Sequence, residues 1–148
     1  YNSMTLTIKT IPKDELASYI GLSLKRKGLR YNFSFMFYPR LTKDDFVLTY
    51  PADQFPPNKS IEILISDMPE ELKTREHNSV HIATNKSWSP DEHYICYYPG
   101  KNRDEALEIA KFWARYNLMY LETGNTSTDK EVVAKFELDE DIEVIEIS

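Results

Sequence analysis

Cysteine is nearly absent. A single Cys96 in 148 residues excludes an internal disulfide framework and suits a reducing compartment. Glycine is scarce too, at four residues, so the glycine-rich loops that cradle nucleotide phosphates have nothing to be built from. Gly100-Lys101 comes nearest, but Asn102 follows where such a loop needs Ser or Thr. Cations are the minority charge: 18 Lys and Arg stand against 24 Asp and Glu, a net charge of -6 that disfavours general binding to phosphate backbones and favours a basic partner. No apolar run approaches the ~20 residues of a membrane span, so no membrane partner is expected. No basic-then-apolar secretion signal follows Met4, and the expected location is cytoplasmic. Met4 reads as an initiator, with Tyr1, Asn2 and Ser3 as leftover residues ahead of one domain over 1–148.

Aromatic and aliphatic residues are plentiful, at 41% hydrophobic and 13% aromatic, and their spacing predicts an α+β fold. The expectation is a mostly antiparallel sheet of about six to eight strands with two main helices. The dominant helix runs over about 102–122. At about 100° per residue, Lys111, Asp104, Glu122, Arg115 and Glu108 share a narrow polar arc, and mainly apolar residues fill roughly 260° of the wheel. A helix this greasy is largely buried. Asn102 is placed to cap its start and Gly124 its end, and Ala106, Ala110 and Ala114 leave room for rings from a sheet. Those rings are supplied by Arg30–Tyr38, a strand with Tyr31, Phe33, Phe35 and Phe37 on one side.

The second helix is expected from Pro12 to Lys27, where Leu16, Ile20 and Leu24 make one face and Gly28 follows the cationic last turn. Alternation predicts strands at Met4–Lys9, Phe46–Tyr50, Ser60–Ser66, Ser79–Thr84, His93–Tyr98, Glu131–Leu138 and Ile142–Ile147, with a short helix near Asp67–Glu71.

Catalytic constellations are missing from the spacing. His93 and Cys96 are three apart and would face opposite sides of a strand, while His77 and His81 are four apart in extended chain, about 13 Å. No chelating pair results, and neither a metal nor a cofactor is expected. Adjacent acids such as Asp44 and Asp45 diverge on a strand, and no Gly-x-Ser-x-Gly or His-Glu-x-x-His pattern occurs.

Binding, rather than catalysis, is therefore the leading expectation. In size, acidity and reducing habitat the chain resembles bacterial immunity proteins, which implies a cytoplasmic inhibitor of a basic, toxin-like protein and transfers no residues. The candidate contact residues are Trp88, Asp91 and Glu92 in the loop Asn85–Glu92, together with the acidic turn Asp139, Glu140 and Asp141. The alternative is a nucleic-acid-binding domain in which Lys25, Arg26, Lys27, Arg30 and Arg40 hold phosphates beside the aromatic strand. A third reading is a small hydrolase or nuclease with His77, His81 or His93 as general base in a dispersed site.

Overall fold

The computed structural model describes residues 17–39, 60–66, 70–73, 82–84, 93–95 and 100–147. Its spine is a hairpin. β1 (Ser18–Arg26) and β2 (Leu29–Pro39) pair antiparallel, from Ser18 opposite Phe37 to Arg26 opposite Leu29. Lys27 and Gly28 form the two-residue turn with φ of 51° and 78°, the left-handed pair that a type I′ turn requires. Alternation along the two strands places Ile20, Leu22 and Leu24 with Phe33, Phe35 and Phe37 in one buried cluster.

The helix expected from Pro12 to Lys27 is thus a strand over residues 18–26. The cause lies in the spacing. Ile20 and Leu24, four apart, satisfy a helical face and a strand face alike, whereas Leu22 between them fits only the strand. The Lys-Gly pair then acts as a hairpin turn and not as a helix end.

Five strands in the order β5-β3-β2-β1-β6 carry the sheet, with β3 at Ile61–Ile65, β5 at His93–Ile95 and β6 at Glu143–Ile147. The three-residue β4 (Ile82–Thr84) adds antiparallel pairs at the β5 edge. Each pairing between these strands is antiparallel. The α+β class and the antiparallel sheet stand as expected, but the list of strands behind the count of six to eight does not. Residues 131–138 are not a strand, and the strands expected at Met4–Lys9 and Phe46–Tyr50 lie outside the described residues.

Three helices complete the described structure: α1 (Glu70–Lys73), α2 (Arg103–Thr123) and α3 (Lys130–Lys135). α2 is the long helix. The Asn102 side chain accepts from the Glu105 amide at 2.9 Å, and left-handed Gly124 returns its N–H to the Tyr120 carbonyl at 2.7 Å. Ala106, Ala110 and Ala114 are fully enclosed, and Trp113 meets Phe33 and Phe35 edge-on at centroid distances of 5.8 and 5.6 Å. Gly100, just before the helix, bridges Ile61 through two backbone hydrogen bonds of 2.7 and 3.2 Å. A Cβ there would lie 2.6 Å from the Ala106 nitrogen, so only glycine lets sheet and helix start this close together.

α3 packs against α2 and covers a second side of it. A strand is expected here from the alternation over Glu131–Leu138. Helix forms instead because Asp129 caps it, accepting from the Glu131 amide at 2.8 Å, and because Val133 within it and Phe136 at its C-terminal cap both reach the core. A smaller cluster of Met36, Tyr38 and Leu64 is buried separately from the main core, with Ala17 and Tyr94 against it. Among the described residues no helix is long and apolar enough to cross a membrane.

Candidate functional site

Two groupings of charge stand out. The first surrounds the turn of the β1-β2 hairpin. A type I′ turn presents its own amides outward, and the Asp139 carboxylate accepts both, from Lys27 at 2.9 Å and from Gly28 at 3.0 Å. The Asp139 amide in turn donates to the Lys25 carbonyl at 2.8 Å. The amides of Gly28 and Lys27 hold the Asp139 carboxyl below its ordinary value.

Arg26 lies across the neighbouring surface. Its Nε meets Glu122 at 2.8 Å, its guanidinium also donates to the Glu137 carbonyl, and its Cζ sits 3.8 Å from the centroid of the Phe136 ring. Lys27 reaches the same Glu122 at 3.3 Å. Desolvation works against ionisation of Glu122, but the hydrogen bonds and charges of Arg26 and Lys27 outweigh it and lower its pKa. Arg30 contacts Glu140 at 3.1 Å, Glu143 at 3.6 Å and the Ser23 hydroxyl at 2.8 Å. Further along β6, Glu146 pairs with Arg103.

The two sets of residues singled out in the sequence therefore meet each other. Arg26, Lys27 and Arg30 from the alternative nucleic-acid surface are paired with acids of the same chain, and of the expected partner surface Glu140 pairs with Arg30 while Asp139 accepts from the backbone amides of the turn. Asp141 is exposed nearby. Trp88, Asp91, Glu92, Arg40, His77, His81 and Cys96 lie outside the described residues. His93 is half-buried on β5, opposite Ile65 and Thr84. Among the described residues no group of three His, Cys, Asp or Glu side chains is placed to hold a metal ion.

The second grouping was not singled out in the sequence as a site. A cleft of about 240 Å³ opens between α2 and α3, lined by Lys111, Arg115 and Lys130 with one acid, Glu108, and floored by Phe112, Val133, Ala134 and Ile142. Lys111 and Arg115 are four apart and so share a helical face. Their position on the polar arc of α2 is readable from residue spacing. Lys130 and Ile142 are not, because they arrive through α3 and the segment after it, where a strand is expected.

Comparison of the chain with protein-family models, with curated proteins and with solved structures gives no match.

Proposed function

We propose that this chain is a small acidic binding protein that acts in the cytoplasm by neutralising a basic protein partner, as an immunity protein neutralises a bacterial toxin. The observation that carries this reading is the stretch from Glu137 to Glu146. It holds six carboxylates and no cation in ten residues, and all six are exposed. Glu140, Glu143 and Glu146 are partly neutralised by Arg30 and Arg103, whereas the side chains of Glu137, Asp139 and Asp141 have no ion-pair partner among the described residues. Together with a net charge of -6, this surface would draw in a cationic protein through its long-range field and accelerate encounter. Nucleic acid is the weaker alternative, since a phosphate backbone would have to displace Glu122, Glu140 and Glu143 from the cations it needs.

The test is kinetic. Proteins captured from a lysate on the immobilised chain at low salt are identified, and the association rate of the purified partner is measured against ionic strength. A rate that falls about tenfold or more between low and physiological salt supports the reading, as does a severalfold slowing by the double charge reversal Glu137→Lys with Asp141→Lys. A partner that associates at the same rate at every salt concentration, or capture of nucleic acid alone, would overturn it.

A further inference from the structure

We propose that the cleft between α2 and α3 is a binding site for a small organic anion, specifically a phosphate monoester with a flat apolar body. Its lining has two chemically distinct parts. Lys111, Arg115 and Lys130 supply three positive charges, and Glu108 returns one negative charge, so the rim retains two positive charges in a chain that is acidic as a whole. A phosphate monoester carries close to two negative charges at neutral pH and matches that excess. Phe112, Val133 and Ile142 offer an apolar floor of the kind that receives a ring or short hydrocarbon body. The volume of about 240 Å³ suits a compact ligand.

Arg115 is the residue that points to an anion. Its Nε is enclosed and has no hydrogen-bond partner, and its guanidinium makes no ion pair among the described residues. Enclosing an unpaired charged donor is costly, and native structures rarely tolerate it without a partner to bind. Arg26, Arg30 and Arg103 all have carboxylates of their own chain. Lys130 likewise has no ion pair among the described residues, and Lys111 is held only loosely by Glu108, at 3.4 Å. A planar guanidinium accompanied by two ammonium groups is a donor set that phosphate oxygens accept from, with the arginine fixing orientation and the lysines contributing charge. This site takes Ile142 but none of the carboxylates from the stretch 137–146, and it stands or falls independently of the partner proposed for that stretch.

The experiment is an amide-resolved NMR titration of the whole chain with phenyl phosphate, with inorganic phosphate and phenol as the two half-ligands. Phenyl phosphate is expected to give saturable shifts centred on Lys111 to Arg115, Lys130 to Ala134 and Ile142, with an affinity at least about tenfold above that of either half-ligand. Arg115→Gln and Lys130→Glu are each expected to weaken binding about tenfold. Lys130 is exposed at the first position of α3, so its variant keeps the fold and decides the matter even if Arg115→Gln unfolds. Shifts that fail to saturate by about 10 mM, a Lys130→Glu variant that binds as well as the parent, or inorganic phosphate binding as tightly as phenyl phosphate would each overturn the proposal.

Discussion

The two oxygens of Asp139 are divided between neighbouring amides, with Gly28 on one at 3.0 Å and Lys27 on the other at 2.9 Å. One carboxylate from a distant part of the chain thereby pins the tip of the central hairpin. Asp139→Ala removes both acceptors, and we expect thermal unfolding to begin several degrees lower and amide exchange at Lys27 and Gly28 to accelerate. The pH dependence has a definite sign. Because the carboxyl is depressed in the folded state from an ordinary value of 3.8, its contribution is complete above that value and is lost as pH falls through the depressed one. The gap in melting temperature between the parent and Asp139→Ala should therefore be widest above about pH 4 and close in stronger acid. A gap that is the same at pH 2 and pH 7 would remove this role from Asp139.

The turn itself contains an avoidable strain. Lys27 is a non-glycine residue at φ 51°, a conformation that Asn adopts more readily and that precedes glycine in most type I′ hairpins. Lys27→Asn should stabilise the fold by about 0.5 kcal/mol in urea denaturation, since the exposed contact from Lys27 to Glu122 that it forfeits is a weak one. Gly28→Ala should destabilise by about 1 kcal/mol although open space surrounds the added methyl, because the φ of 78° is itself the obstacle.

Gly100 makes the opposite case. Its constraint is steric, with the Ala106 backbone 2.6 Å from where a Cβ would stand. Gly100→Ala has to push α2 away from β3 and should lose about 2 kcal/mol or more, read as a lower urea midpoint with an unchanged slope. Full stability in that variant would mean that the approach of helix to sheet is looser than described.

Trp113 is the largest enclosed side chain among the described residues, 1% exposed and held edge-on by Phe33 and Phe35. Trp113→Ala is expected to cost about 3 to 5 kcal/mol, enough to unfold much of the population of a domain this size. Trp113→Phe should lose less, because the indole N–H it deletes is buried without a partner. Equal losses from the two substitutions would show that ring packing is not the dominant contribution.

Residue spacing reveals some parts of this molecule and conceals others for physical reasons. α2 is readable because its length, the Asn102 cap, the Gly124 stop and the alanine stripe all point the same way. β2 is readable because a four-ring alternation, Tyr31, Phe33, Phe35 and Phe37, fits only one period. β1 is concealed because Ile20 and Leu24 serve both periods, and α3 because Val132, Ala134, Phe136 and Leu138 alternate as a strand would and outweigh a cap when tertiary contacts are unseen. The sites follow the same division. Lys111 and Arg115 share a polar arc that sequence exposes, but their meeting with Lys130 depends on α3 being helical. The meeting of the hairpin turn with Asp139 and of Arg30 with Glu140 depends on contacts across more than 100 positions, which no local pattern encodes.

β6 closes onto β1, with Ser23 opposite Glu143 and Tyr19 opposite Ile147, so one flank of the hairpin is sealed by residues over 100 positions downstream. On the ribosome the hairpin emerges long before its sealing strand. In that interval the flank is a bare template of amides and carbonyls, open to strands from other nascent chains on the same message. Slow translation between the hairpin and β6 would prolong that exposure, which makes the yield of native protein sensitive to elongation speed there in a way that its equilibrium stability would not foretell.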